Sequence, residues 1–284
     1  MPDLDAAIAQ AAHLIGEADA LVVCAGAGMG VDSGLPDFRG DAGFWRAYPA
    51  LGHAGMGFAD AASAENFKRD PRLAWGFYGH RLQLYRDTTP HEGFVLLQRW
   101  AGAKPGGCWV FTSNVDGQFQ KAGFAPGLVE ECHGSIHYLQ CTKACRDTIW
   151  PATDVVPDVD TAQCRWRGEL PRCPHCGALA RPNILMFEDW GWNPVRREWR
   201  AAARRTWMQR LTQGAGRPVV IEIGAGTAIA SVRHFATRAQ HDFRQQGARL
   251  IRINPREADV ADALDVALPM GALAALRAID DALR

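Results

Sequence analysis

The sequence predicts an α/β protein with one large domain built on parallel strands and one smaller module. Short apolar runs alternate with segments of helical periodicity, as expected for strands joined by helices. A length of 284 residues with 48% hydrophobic content and 29 glycines suits a globular protein of this size. The clearest strand, residues 21–24, runs directly into a loop that carries Gly26, Gly28 and Gly30.

This glycine loop predicts a binding site for the pyrophosphate of a dinucleotide. Glycine permits positive φ and leaves clearance, so backbone N–H groups at a helix N-terminus can approach a phosphate. The loop departs from the dehydrogenase fingerprint, because Val31 replaces its third glycine and Pro36 interrupts any long first helix. A glycine-rich turn with a purely structural role is the alternative. The following Asp37-Phe38-Arg39 favours a site, since an aromatic between opposite charges is hard to explain by packing.

The other elements follow in chain order. Periodicity predicts helices over residues 4–17, 64–86 and 91–101, with short helices and loops over 41–63. Apolar runs predict core strands over residues 108–112, 218–223 and 250–253, and a strand-like patch near Val266. Residues 195–211 form a basic helix, most simply a solvated amphipathic one, and a further amphipathic helix closes the chain.

Charge and hydropathy narrow the possible partners and locations. Lys plus Arg and Asp plus Glu both total 31, so no long-range electrostatic argument supports nucleic-acid or membrane binding. The first residues lack the basic and apolar regions of a signal peptide, and no run of about 18 apolar residues occurs. We therefore expect a cytoplasmic protein without nucleic-acid or membrane partners.

Two further segments offer polar groups at strand ends. Asn114 and Asp116 follow the strand at 108–112 and are suited to clamp a carboxamide such as that of nicotinamide. An Asx turn that caps the next helix is the alternative. His133 lies between an apolar strand and Gly134, and its side chain is the natural candidate for a general base, although an isolated histidine is more often structural.

Three motifs in this order resemble the sirtuins, a family of NAD-dependent protein deacylases. They are Gly26-Ala27-Gly28 with Ser33-Gly34-Leu35-Pro36-Asp37-Phe38-Arg39-Gly40, then Thr112-Ser113-Asn114-Val115-Asp116, then His133-Gly134-Ser135. The resemblance implies a Rossmann-like domain (1–40, 87–136 and 181–284). It also implies a small domain made of a helical module (41–86) and a zinc ribbon (137–180), with an acyl-lysine protein or peptide bound between the two domains.

The cysteine spacings agree with a zinc ribbon. Cys141-x3-Cys145 and Cys173-x2-Cys176 form two pairs, and four thiolates make the closed tetrahedral shell of a structural Zn²⁺ site. The first pair is one residue wider than the family's usual C-x2-C, so Cys164 or His175 is an alternative ligand. Four reduced, buried thiols without metal are the other alternative.

The resemblance also assigns site residues. Asn114 and Asp116 hold the nicotinamide of NAD⁺, Phe38 shields the emptied site, Arg39 contacts the cofactor and His133 is the general base. The resemblance places the remaining cofactor contacts in the glycine loop and the segment after it, at the end of the strand at 108–112, and in the loops around the adenosine. These are Gly26, Ala27, Gly28, Asp37, Ser113, Gly224, Ala225, Gly226 and Asn254. Gly30 replaces a usual serine and Ser113 a usual glutamine, and each removes a polar contact to the cofactor.

The segments expected to bind the substrate resemble the family least. Residues 180–188 resemble the segment that pairs with the substrate backbone, but Phe187-Glu188-Asp189 replaces the usual Phe-Gly-Glu. Tyr78-x2-Arg81 resembles the pair by which one sirtuin class recognises succinyl and malonyl groups. An ordinary helix, with Tyr78 in the core and Arg81 solvated, is the alternative.

The predicted function is NAD-dependent protein-lysine deacylation, yielding nicotinamide, free lysine and O-acyl-ADP-ribose. The altered Gly30, Ser113 and Phe187-Glu188-Asp189 positions keep two alternatives open. One is an NAD glycohydrolase or mono-ADP-ribosyltransferase, and the other is a sensor that binds NAD or ADP-ribose.

Overall fold

A computed structural model describes residues 3–37, 40–214 and 216–284. Its α-helices are α1 (Leu4–Glu17), α2 (Gly40–Ala47), α3 (Pro49–His53), α4 (Phe58–Ala61), α5 (Asn66–Arg69), α6 (Pro71–Asp87), α7 (Glu92–Gly102), α8 (Gln118–Lys121), α9 (Val195–Gln213), α10 (Ser231–Asp242) and α11 (Ala272–Ala282). Its strands are β1 (Ala20–Ala25), β2 (Cys108–Thr112), β3 (Val129–Glu131), β4 (Gly134–Cys141), β5 (Ile149–Pro151), β6 (Val159–Asp160), β7 (Arg165–Trp166), β8 (Ala180–Ile184), β9 (Pro218–Ile223), β10 (Arg249–Ile253) and β11 (Val266–Leu268). Short 3₁₀ helices cover Ala27–Ser33, Pro126–Leu128 and Arg244–Gln246.

The large domain is built on a six-stranded parallel sheet in the order β11-β10-β9-β1-β2-β3. Strand β1 is fully buried, and its alternate side chains reach two different cores. Leu21 and Val23 join the core that contains α1, α7 and α11, whereas Val22 and Cys24 join the core that contains α10. Helices therefore cover both faces, which is why the strand is apolar throughout.

The order of the strands fixes where a ligand can bind. From β1 the chain proceeds outward to β2 and β3, and it later returns to the other side of β1 to form β9. The connections leave β1 and β9 in opposite directions, so a crevice opens beyond the carboxyl ends of these two strands. In open α/β sheets this switch point is the usual ligand site.

A second core joins the helices between β1 and β2 to the antiparallel strands. Strand β4 pairs with β5 and β8, and β6 pairs with β7. On α6, Trp75 packs against Trp166 of β7 with ring centroids 5.4 Å apart. A Cβ atom at Gly76 would lie 2.0 Å from the carbonyl oxygen of Cys164, so only glycine allows this contact. Within the described residues, no helix is long and apolar enough to cross a bilayer.

Most predicted elements lie where expected, and the differences have local or tertiary reasons. The predicted helix over 64–86 is split into α5 and α6, because Asp70 caps the backbone N–H of Leu73 (3.1 Å) and Pro71 starts the second helix. The basic amphipathic helix predicted at 195–211 is formed as α9, and most of its residues are exposed or half-buried, but its basic side chains are not all solvated. Its Arg196 and Arg204 pair with carboxylates of β3 that are almost fully buried.

Candidate active site

Three glycines bring the ends of β1 and β9 into direct backbone contact. The N–H of Gly28 donates to the carbonyl of Gly224 (3.0 Å), and that of Gly26 donates to Ile223 (2.9 Å). A Cβ at Gly26 would lie 2.7 Å from the Gly224 oxygen, and one at Gly28 would lie 2.6 Å from the Gly224 Cα. These glycines are therefore required by the close approach of two loops about 200 residues apart in sequence, a reason that the sequence did not reveal.

The segment after the loop is a 3₁₀ helix, Ala27–Ser33, rather than the start of a long α-helix. It ends at Gly34, whose φ of 85° lies in the left-handed region. Asp37 is half-buried at the end of the following segment. Phe38 and Arg39, both predicted to contact the cofactor, lie outside the described residues.

Asn114 links the end of β2 to the glycine loop. Its Nδ2 donates to the carbonyl of Gly26 (3.0 Å), and its backbone N–H donates to the hydroxyl of Thr112 (3.0 Å). The backbone N–H of Ser113 donates to Ala25 (3.2 Å), and its side chain is half-buried. The structure thus brings the predicted site residues that follow β1 and β2 together at the carboxyl ends of these strands.

Asp116 is buried next to this link. Its Oδ1 accepts a hydrogen bond from the backbone N–H of Gln118 (2.9 Å), so the Asx turn raised as an alternative is formed by Asp116 and not by Asn114. Burial raises the pKa of the carboxyl group to about 6, although the Gln118 hydrogen bond opposes this increase. His137 supports the loop, since its Nε2 lies 2.8 Å from the carbonyl oxygen of Asp116.

His133 lies beyond β3, and its imidazole contacts the segment that follows β9. Its Nε2 is 3.2 Å from Oγ of Ser231, the first residue of α10. Burial lowers the pKa of His133, and the positive charge of Arg197 on α9 lowers it further. The imidazole is therefore neutral near pH 7, as a general base must be. Neither Ser231 nor Arg197 is recognisable from the sequence, because both come close to His133 only through the tertiary fold.

Asn254 holds the loop at the other end of the crevice. It is fully buried; its Nδ2 donates to the carbonyl of Ala225 (2.9 Å), and its Oδ1 accepts from the backbone N–H groups of Arg256 (3.0 Å) and Glu257 (3.1 Å). Glu257, which no sequence pattern indicated, also belongs to this network, because its carboxylate accepts a hydrogen bond from the Thr227 hydroxyl (2.6 Å). This network shapes the loop formed by Gly224, Ala225 and Gly226.

The four predicted zinc ligands form one cluster. The Sγ atoms of Cys141, Cys145, Cys173 and Cys176 all lie within 4.8 Å of one another, with two pairs at 3.6 Å. Tetrahedral Zn–S bonds of about 2.3 Å place sulfur atoms about 3.8 Å apart, so this donor set fits Zn²⁺. The extra residue of the first pair is accommodated by Ala144, whose φ is 46°.

The alternative ligands Cys164 and His175 are not part of this cluster.

Tyr78 and Arg81 are both buried in α6. The Nε and Nη2 atoms of Arg81 donate to the hydroxyl of Tyr85 (3.1 and 2.8 Å), and its guanidinium lies over the ring of Phe77 (5.2 Å to the centroid). The alternative in which Arg81 is solvated is therefore wrong, whereas Tyr78 does lie in the core. Burial raises the pKa of the Tyr78 phenol to about 12.

Phe187 and Glu188 follow β8 in the segment that resembles a substrate-pairing strand. The backbone N–H of Phe187 already donates to the carbonyl of Ala62 (3.2 Å), and that of Leu185 donates to His133 (2.9 Å). Glu188 has φ 53°, in the region that favours glycine. The chain thus keeps a left-handed residue where the family has glycine. Pairing with a substrate must use backbone groups other than these two N–H groups.

A sequence model of the Sir2 family matches residues 26–206. The chain belongs to the Sir2 family. An NAD-dependent protein deacylase of Aquifex aeolicus is 28% identical over 264 residues, which cover 93% of this chain and 95% of that relative. An NAD-dependent protein deacetylase of Caldivirga maquilingensis is 30% identical over 255 residues, with coverages of 88% and 84%.

A solved Sir2 homologue, a mutant in complex with 2′-O-acetyl ADP ribose, is 25% identical to this Sir2 chain. It covers 96% of each chain with a TM-score of 0.67. The predicted family and the predicted α/β fold with a four-cysteine module are confirmed.

Proposed function

We propose that this chain is an NAD-dependent protein-lysine deacylase, which transfers an acyl group from lysine to the ADP-ribose part of NAD⁺. The products are nicotinamide, O-acyl-ADP-ribose and free lysine. Two relatives, which this chain matches over most of their length, are an NAD-dependent protein deacylase and an NAD-dependent protein deacetylase. The observation that carries the proposal for this chain is the hydrogen-bonded convergence of four strand ends, those of β1, β2, β3 and β9, on one crevice.

Each group around the crevice has a proposed task. The loops at 26–28 and 224–226 hold the phosphates and the adenosine half of NAD⁺, and Asn254 keeps the second loop in place. Asn114 and Asp116 hold the nicotinamide, with Ser113 beside them. The neutral imidazole of His133 accepts the proton of a ribose hydroxyl, which turns that hydroxyl into a nucleophile. Asp37, Phe38 and Arg39 complete the cofactor site, with Phe38 as its cover.

Binding geometry provides the catalysis that this mechanism needs. In NAD⁺ the nicotinamide is a cationic leaving group, so the bond to the ribose is already weak. The protein has to hold the ring, exclude water and present the acyl-lysine carbonyl oxygen to the anomeric carbon. Phe187 and Glu188 would guide the substrate segment to this position. The Zn²⁺ of the four-cysteine site is proposed to hold the small domain together and to take no part in the reaction.

The domain division follows the same proposal. Residues 1–40, 87–136 and 181–284 form the NAD-binding domain, and 41–86 with 137–180 form the small domain. The protein substrate carries an acyl-lysine and is bound between them. We propose no nucleic-acid partner and no membrane partner.

One assay separates the proposed activity from its alternatives. The protein is incubated with NAD⁺ and an acyl-lysine peptide, and the products are identified by mass. Deacylation gives O-acyl-ADP-ribose, hydrolysis gives free ADP-ribose without peptide turnover, and a sensor gives binding alone. The His133→Ala variant should lose deacylation while NAD⁺ still binds. Full turnover by this variant would remove His133 from the mechanism.

The buried Arg81 supports a proposal about the acyl group. A guanidinium held against aromatic rings inside α6 can bind a terminal carboxylate through two N–H groups. With Tyr78, it would favour succinyl and malonyl over acetyl groups. Arg81→Met should reduce desuccinylation at least about tenfold more than deacetylation. Equal losses on both peptides would show that Arg81 only supports the helix.

A further inference from the structure

Trp190 is the most exposed large apolar side chain in the described part of the chain, with a relative exposure of 99%. Burying a tryptophan contributes more hydrophobic stabilisation than burying almost any other side chain, so a fully exposed one indicates a binding surface when further exposed apolar residues accompany it. Leu185 and Phe187, a few residues earlier, are each 39% exposed. We call Leu185, Phe187 and Trp190 the apolar strip.

The turn that carries Trp190 is held in place by buried groups on both sides. The carboxylate of Asp189 accepts from the backbone N–H of Gly191 (3.1 Å) and pairs with Arg181, and both charged side chains are buried. Gln140 donates from Nε2 to the carbonyl of Gly191 (2.7 Å). The residues on either side of Trp190 are therefore fixed. An aromatic side chain on a fixed backbone loses little conformational entropy when it binds a partner.

The apolar strip begins at the candidate active site. The backbone N–H of Leu185 donates to the carbonyl of His133 (2.9 Å). Phe187 lies edge-on to Phe58 of α4, with centroids 5.9 Å apart and the rings at 90°. The chain thus leads from a residue whose backbone is hydrogen-bonded to His133, past the Phe58 contact, to Trp190 three residues further on. A peptide whose acyl-lysine enters beside His133 would continue over these side chains.

We propose that the apolar strip binds an aromatic or large aliphatic side chain close to the acyl-lysine of the protein substrate, with Trp190 as the main contact. This inference rests on the proposed deacylase function. Glu188, two residues before Trp190, is exposed, and its carboxylate adds a second preference, because it disfavours an acidic residue at that position of the substrate. The strip then acts as a determinant of substrate specificity next to the active site.

The test compares peptide pairs that differ at one position only. The two peptides of a pair carry the same acyl-lysine and differ only in having Phe or Ser at one position. That position lies within about four residues of the acyl-lysine, because an extended peptide of this length spans about the length of the strip. Affinity is measured by fluorescence anisotropy of labelled peptides without NAD⁺, and KM and kcat are measured with NAD⁺. At one position, the protein should bind the Phe peptide about tenfold more tightly than the Ser peptide.

Trp190→Ala should abolish this preference. It should raise the KM of the Phe peptide about tenfold without changing kcat, the KM of NAD⁺ or turnover of an acyl-lysine derivative without flanking residues. Trp190→Phe should restore part of the preference. Trp199→Ala is the matched control, since this tryptophan is 72% exposed on α9 outside the strip, and it should keep the full preference.

Three outcomes would overturn the inference. The first is no Phe preference at any position, and the second is an equal effect of Trp190→Ala on both peptides. The third is a concentration-dependent dimer that Trp190→Ala dissociates without changing peptide binding, which would identify a second copy as the occupant. If the preference and its loss are observed but no deacylated peptide forms, the inference stands and the proposed function fails.

Discussion

Replacing Asp116 by Asn should stabilise the protein and impair its reaction at the same time. The carboxyl group is buried, and its pKa is raised from 3.8 to about 6, so the ionised form is destabilised in the folded protein. At 1.36 kcal/mol per pKa unit, this increase corresponds to about 3 kcal/mol of stability lost at pH 8. Asn is neutral and can still accept the hydrogen bond from Gln118, so the turn is retained.

The pH dependence of this gain follows from the sign of the pKa change. A group whose pKa is raised on folding favours the folded state at low pH and disfavours it as the pH rises through the folded value. Asp116→Asn should therefore raise the free energy of unfolding by about 3 kcal/mol at pH 8, and by about half of that at pH 5. For a chain of this length, the gain at pH 8 is about 5 °C in Tm.

The assay measures thermal unfolding at pH 5 and pH 8 together with NAD-dependent turnover. Turnover should fall about tenfold or more, because the proposed charge-assisted contact of Asp116 to the nicotinamide would become a neutral one. Asp87→Asn is the control. This carboxylate is exposed at the end of α6, so its removal should change stability by less than about 0.5 kcal/mol. A variant of Asp116 that is less stable at pH 8, or equally stabilised at both pH values, would refute the reasoning.

Two further predictions concern α9 and the cysteine cluster. Arg197→Gln should move the acidic limb of the pH profile of kcat/KM to higher pH, because the charge of Arg197 helps to lower the pKa of His133. Arg205 is exposed on the same helix, and Arg205→Gln should leave the profile unchanged. An unshifted limb in the first variant would exclude this coupling. Cys176→Ala should abolish the binding of one Zn²⁺ per chain, measured by elemental analysis, and lower Tm, whereas Cys164→Ala should retain the metal. Full zinc content in the Cys176 variant would contradict the four-cysteine site.

Local patterns in the sequence were enough for most of the secondary structure and for the zinc ligands. The predicted helix over 4–17 and strands over 108–112 and 218–223 match α1, β2 and β9, because apolar periodicity depends only on neighbouring residues. The cysteine spacing predicts the zinc ligands for the same reason, because the two cysteines of each pair are close together in the sequence. Helix α10 was not predicted, although its sequence has helical propensity, because no clear start signal precedes it.

The sequence by itself thus determined the family, the strands of the parallel sheet and the residue types of the candidate site. Only the tertiary structure decided which of them meet. Gly28 touches Gly224, and His133 lies against Ser231, across separations that local patterns cannot encode. The burial of Arg81 could not be predicted from the sequence either. An arginine on a helix is expected in solvent unless the tertiary fold surrounds it with other side chains. Long-range packing sets these contacts, and with them the pKa values on which the proposed chemistry depends.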